Sequence, residues 1–205
     1  MFEIEPGLYV PRPPDELKKW LNNSFETHLS ILESQFEAIS AKSDYEYLLT
    51  LKGYDAVIQK ASDIITTARQ ELYIRLFPHT AYRLEMDLKD ASARGVGIRF
   101  ITMGEVPFSF DYQVVHPKAD RIGEKIGGES IDIIADKTEA LVGIFEEGRS
   151  NNSPVIWTRN KWFVIGNRYS LRHDFYHYFL DKVYDRNEPL TENEKRIYDF
   201  IKSDD

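Results

Sequence analysis

Apolar positions recur along this chain in two rhythms, and the switches between them mark its elements. From residue 15 to 42 the rhythm is helical. Leu17, Leu21, Phe25, Leu32, Phe36 and Ile39 follow one another at steps built from three and four, with Leu29 beside them. Two prolines and Asp15 stand at the head of this run, as they do where helices begin. Within it, Leu21, Phe25, His28, Leu32, Gln35 and Ile39 alternate steps of four and three, the seam of a coiled coil. The helix is longer than a domain of this size needs. It therefore predicts a homodimer through Leu21, Phe25, His28, Leu32, Phe36 and Ile39. The polar positions His28 and Gln35 also suit a helix lying against its own domain. Residues 1–14, with prolines at 6, 11, 13 and 14, read as an extended leader.

Past Ser43 and Asp44 a second helical region is expected, carrying Tyr47, Leu48 and Leu51 up to Gly53. Residues 54–70 form an amphipathic helix with Val57, Ile58, Ala61, Ile64, Ile65 and Ala68 in one stripe. ELYIRLF (71–77) is a strand, 81–94 a helix closed by Gly95, and VGIRFIT (96–102) a second strand. Strand, helix and strand in this order make a βαβ unit with parallel strands. Pro107 and Pro117 break the next stretch, where Phe108, Phe110 and Tyr112 cluster; 112–115 suits a short strand and 119–125 a helical turn. ESIDIIADKTEALVGIF (129–145) is the clearest hairpin, two β-branched runs around Asp136-Lys137-Thr138-Glu139. Gly127-Gly128 before it lets the chain turn sharply. A polar loop at 146–153 leads to expected strands at 155–158 and 162–165 and a helix at 169–184. Thr191 with Glu194 is a capping box opening a last helix. The fold class is α/β: a mixed sheet flanked by helices, preceded by the long helix.

Bulk composition narrows the function. At 205 residues, with 42% hydrophobic and 29% charged positions, the chain suits one soluble α/β domain and an appendage. Its net charge of −8 argues against nucleic-acid binding by this polypeptide itself. It has no cysteine, which rules out disulfides and thiolate chemistry and fits a reducing cytoplasm. No apolar run approaches the roughly 20 residues that span a bilayer, and the first residues do not read as a signal peptide.

Candidate chemistry gathers where strands end. His79 follows the first strand, Met103 the second, and Asp136 closes the strand before the hairpin turn. Carboxyl ends of strands are where α/β sheets present ligand sites. Asp136 suits two roles, a ligand contact or the acceptor that fixes the turn. Trp157, Thr158 and Asn160 combine a ring face with directional polar groups, as sugar sites do; a core tryptophan beside a turn is the alternative. His173 and His177 have the i, i+4 spacing of metal ligands. No flanking glutamate signature accompanies them, so no metal and no cofactor is expected. His173 then belongs with Arg172 and Asp174 in a polar network between helix and sheet.

The order of these pieces resembles known proteins. KASDIITTA, ELYIRLF, a helix closing on Ala-Arg-Gly-Val, GIRFIT and SIDIIADKTEALVG resemble the first half of a phospholipase D-like unit. More closely, LKGYDAVIQKA, ASARGVGIRF, GGESIDIIADKTEALVG and WTRNKWFVIGNRYSLRHDFY resemble the C-terminal effector domain of TrmB-like transcriptional regulators, over residues 51–184. The resemblance implies that residues 1–14 leave a winged-helix DNA-binding domain that the sequence lacks. It implies that 15–42 form the dimer helix, and that 43–205 form a phospholipase D-like domain binding a small molecule, typically a sugar. The expected ligand residues are His79, Met103, Asp136, Trp157, Thr158, Asn160 and His173. DNA would be a partner only through the missing domain, and no membrane is implied. Phospholipase D-type enzymes carry His-x-Lys-x-x-x-x-Asp at this hairpin. With the aspartate at Asp136, Glu129 takes the histidine position and Ile131 the lysine position, and neither supports phosphoryl chemistry. His116-Pro-Lys118 lacks the aspartate, since Gly123 stands there. The chain therefore reads as a sensor without catalytic residues. A phosphodiesterase with an altered site and a dimerisation module without ligand are the alternatives.

Overall fold

ELYIRL buries both its faces: Leu72, Ile74 and Leu76 turn one way, Tyr73 the other, and all four are sealed from water. A strand of this kind needs cover on both sides. The computed structural model describes residues 2–10, 13–40 and 47–204. It divides the chain into Met1–Tyr45 and Glu46–Asp205.

In the first unit, β1 (Phe2–Glu5) and β2 (Leu8–Val10) pair antiparallel around Gly7. The leader expected at 1–14 thus contains a hairpin, made possible by the positive φ of Gly7 (83°). Helix α1 runs Pro14–Ser40. Leu21, Phe25, His28, Leu32 and Phe36 are all exposed along it, Phe25 at 68%. The side chain of Ile39 lies outside the described residues.

The second unit begins with β3 (Leu48–Leu51), followed by α2 (Tyr54–Thr67) and β4 (Glu71–Leu76). The helix expected over Tyr47, Leu48 and Leu51 is therefore a strand; Ser43 and Asp44 lie outside the described residues. Leu48, Leu49, Thr50 and Leu51 pair antiparallel with a strand more than a hundred residues away, β9 (Val155–Thr158). Between β4 and β5 (Gly97–Thr102) the expected single helix is two, α3 (Pro78–Arg83) and α4 (Glu85–Ala93), separated at Leu84. Gly95 ends α4 at φ 87°. Then follow β6 (Tyr112–Val115), α5 (Ala119–Ile126), β7 (Gly128–Ala135) and β8 (Glu139–Glu146). Helix α6 (Lys161–Leu180) starts where a strand was expected at 162–165. Asn160 accepts the Phe163 N–H at 3.0 Å, and this cap turns Trp162, Phe163 and Val164 into a first helical turn. Helix α7 (Glu192–Ser203) carries the expected Thr191–Glu194 capping box.

The sheet order is β3-β9-β8-β7-β4-β5-β6. Strands β4, β5 and β6 are parallel, whereas β7 runs antiparallel to β4. One face is covered by α2, α3 and α4 through Val57, Ile64, Leu84, Leu88, Phe100 and Ile133. The other is covered by α6 and α7 through Tyr73, Ile134, Leu171, Phe175 and Ile197. This is the expected mixed sheet flanked by helices.

Candidate functional site

Because β7 runs against β4, the expected site residues separate. Leu72 pairs with Ala135, so Asp136 stands at the amino end of β4, beside Glu71. Trp157 and Thr158 lie at that same end, since Ala140 on β8 pairs with Thr158 on β9. His79 and Met103 follow the opposite ends of β4 and β5.

At the Asp136 end Glu71, Asp136, Glu139 and Asp204 are each engaged. Asp136 accepts the backbone N–H groups of Arg69 (2.9 Å), Gln70 (2.8 Å) and Glu71 (3.0 Å). Both Asp136 and Lys137 have positive φ (52° and 58°), the mark of a type I′ hairpin turn. Trp157 donates its indole N–H to Glu139 at 2.6 Å, and the Lys60 ammonium sits 3.8 Å from its ring centre. Thr158 donates to the Tyr47 carbonyl and accepts from the Asn160 N–H, while Asn160 caps α6. Below them, Arg168 holds Glu71 (2.7 Å) and Asp204 (3.2 Å); Arg99 and the Tyr73 hydroxyl also reach Asp204. Burial raises the Asp204 carboxyl, but the Tyr73 hydroxyl and the two guanidiniums more than offset this and leave it below the usual carboxylate range.

Met103 is buried in the core under α6. His173 is exposed on α6, and it is His177 that meets His116, ring centres 5.3 Å apart. Burial holds the His116 imidazole below its ordinary value, and its Nδ1 accepts the Lys118 N–H. Nearby, Arg75 bridges Asp132 (2.9 Å) and Asp174. Burial pushes the Asp132 carboxyl above the usual range despite that partner. Among the described residues no group of three or more His, Cys, Asp or Glu has the arrangement of a metal site. No helix there is long and apolar enough to cross a membrane.

Of the expected residues, His79 lines a cleft. It measures about 720 Å³ and lies beyond the carboxyl end of β4, where α2 begins. Tyr54, the first residue of α2, stacks on His79 (centroids 5.5 Å) and leans on Phe145 (4.8 Å). Its hydroxyl is hydrogen-bonded to His79 Nδ1 at 3.2 Å, and its backbone N–H donates to the Asn151 side chain. Burial pushes the Tyr54 phenol up, so the hydroxyl stays protonated. Phe77 and Glu129 complete the inner wall, and Glu147 and Ser150 stand in the loop at the rim. Gly128 is fixed by packing: a Cβ there would lie 2.1 Å from the Phe145 carbonyl oxygen. A cleft of this size with rings and scattered polar groups is the ordinary form of a small-molecule site. Glu129 is the position that the hairpin motif assigns to a catalytic histidine. Tyr54, Phe145 and Asn151 have no local motif. The Gly127-Gly128 pair and the Gly-, Ser- and Asn-rich loop at 146–153 are the sequence signals nearest to them.

The model of the TrmB transcriptional regulator effector-binding domain, N-terminal subdomain, matches residues 47–189. The uncharacterized protein YrhO of Bacillus subtilis (strain 168) is 26% identical over 169 residues, covering 82% of this chain and 61% of that protein. The chain thus spans about three fifths of the length of that relative. Among solved structures it is similar to TrmBL2, an archaeal chromatin protein described with a novel mode of DNA binding (TM-score 0.46, 13% identity, 78% of this chain and 64% of that one). It is also similar to NucT from Helicobacter pylori (TM-score 0.43, 14% identity, 63% and 94%). A third is the phospholipase D family member Nuc from Salmonella typhimurium (TM-score 0.42, 13% identity, 63% and 95%). With more than half of its sequence matched by the family model, the chain belongs to the TrmB transcriptional regulator family, through the N-terminal subdomain of the effector-binding domain.

Proposed function

We propose that the chain is the effector-sensing and dimerising region of a TrmB-like regulator and that a sugar-sized molecule occupies the cleft between Tyr54, His79, Phe145 and Glu129. The cleft carries this reading. Its rings offer stacking faces and Glu129, Asn151 and Ser150 offer directional hydrogen bonds, the combination that holds a polyol. Helix α1 pairs with its counterpart in a second copy through Leu21, Phe25, His28, Leu32 and Phe36, since a row of exposed large apolar side chains marks an interaction face. DNA is contacted by a winged-helix domain N-terminal to this region, in the cytoplasm, and ligand binding biases the dimer that presents it. Phosphodiester hydrolysis has no support at the hairpin. A carboxylate, Glu129, stands at the nucleophile position and would repel a phosphodiester.

Calorimetric titration of mono- and disaccharides tests the cleft. Wild type binds at least one of them, and Tyr54→Ala weakens that binding at least tenfold, a loss of about 1.4 kcal/mol. Binding unaffected by Tyr54→Ala would move the site elsewhere. Light scattering tests the dimer: Phe25→Glu yields monomers, and a monomeric wild type would remove the role given to α1.

A further inference from the structure

The cleft is charged on one side of zero. Glu124, Glu129 and Glu147 line it, and no lysine or arginine does. Glu124 and Glu147 are exposed, whereas Glu129 is partly buried at the inner wall. Among the described residues its carboxylate neither forms an ion pair nor accepts a hydrogen bond. Other shielded acids in this molecule are matched: Glu139 by Lys60 and the Trp157 indole, Asp132 by Arg75, Glu194 by Lys182 and Tyr178. A carboxylate drawn from water without a partner is unfavourable until a cation reaches it. The ring faces of Tyr54 and Phe145 beside it, 4.8 Å apart, attract a cation as well. His79, bonded to the Tyr54 hydroxyl through Nδ1, is the basic side chain on the wall, and the amino end of α2 favours an anion. That end is already met by the Asn151 side chain at the Tyr54 N–H and by Asp55 in the first turn.

We infer that the cleft selects a ligand bearing a protonated amine, with Glu129 reading the charge; in size and hydroxyl-binding groups, this is an amino sugar. The inference rests on the cleft being the effector site. It adds the sign of the ligand's charge and the residue that sets it.

Glucosamine, glucose and glucose 6-phosphate share one pyranose frame and carry a positive, a neutral and a negative group. They are titrated calorimetrically into the whole 205-residue chain. Low salt and about pH 6.5 keep the amine protonated, below the usual range of an α-amino group. Glucosamine is expected to bind at least tenfold tighter than glucose, with glucose 6-phosphate weakest. Added salt should weaken glucosamine selectively, as screening requires. Glu129→Gln should bring the glucosamine-to-glucose preference to within about threefold, less than 1 kcal/mol by the affinity relation. Glucose or its phosphate binding as tightly as glucosamine overturns the charge preference and leaves the cleft as an effector site. An undiminished preference in Glu129→Gln overturns the role of that residue. Binding of none of the three overturns the inference and the cleft reading together. The wild-type panel does not depend on whether the variant folds.

Discussion

The two ends of the sheet treat acidic side chains in opposite ways. Where β4 begins, Glu71, Asp136, Glu139 and Asp204 are each matched by guanidinium, ammonium, indole, hydroxyl or backbone donors. Beyond its other end, Glu124, Glu129 and Glu147 face a cleft whose lining holds no lysine or arginine. The same residue type closes one end and keeps the other open. Paired acids fix the helix–sheet assembly and tie the last helix to it. At the other end the acids stand beside aromatic rings, and the proposed ligand would meet them there.

The largest way to break this contrast is at the closed end. Arg168 is 4% exposed and holds both Glu71 and Asp204. Arg168→Ala removes the shortest partner of Glu71 and one of two guanidiniums from Asp204, leaving both to Arg99, and should cost about 3 kcal/mol in denaturant unfolding. A loss under about 1 kcal/mol would show that this cluster does not anchor the fold. Next comes Asp136→Ala, which leaves three backbone N–H groups without their acceptor and should cost about 2 kcal/mol. Titration should show the cleft still binding its ligand, because the turn lies at the far end of β7.

A third and smaller effect is a pH dependence. Burial alone would raise the Glu194 carboxyl, but Lys182, Tyr178 and the Thr191 cap hold it at about 2. Its folded value lies below its unfolded one, so its contribution is full above about pH 4.3 and is lost as pH falls toward 2. Tyr178 runs the other way: burial and Glu194 push it up to about 12, so its share is full below about pH 10 and is lost as pH rises from there. Thermal melts across pH should show both limbs, and Glu194→Gln should flatten the acid one. The smallest effect is at the open end. Glu129→Gln should shift unfolding by no more than about 0.5 kcal/mol, since it removes no contact within the chain. A large loss would mean that Glu129 belongs to the framework.

Local patterning carried most of the sheet. ELYIRL, GIRFIT and the hairpin are legible because each keeps one rhythm between clear turn residues. Two segments failed for opposite reasons. Trp162, Phe163 and Val164 have strand-forming side chains, yet the Asn160 cap decides their state. Leu48 to Leu51 forms a strand only because β9 offers it an edge. The site was less legible, because strand direction is not a local property. The hairpin fixes β8 against β7, but nothing near Asp136 says that β7 opposes β4. That single reversal moves Asp136, Trp157 and Thr158 away from His79. Tyr54 and Asn151 are 97 residues apart and meet through the fold alone.

Strand β7 begins in the cleft wall and ends at the turn. From Glu129 to Asp136 it extends about 24 Å. Its far end is pinned by three short hydrogen bonds to the chain that leads into β4. A rod fastened at its remote end cannot slide when something pulls at its near end. On the reading proposed above, a ligand held at Glu129 bears on the rim rather than on the strand. That rim is the loop carrying Glu147, Gly148, Ser150 and Asn151, and the Asn151 side chain accepts the Tyr54 N–H at the start of α2. Gly53, with φ 94°, precedes that contact and lies thirteen positions after the last residue of α1.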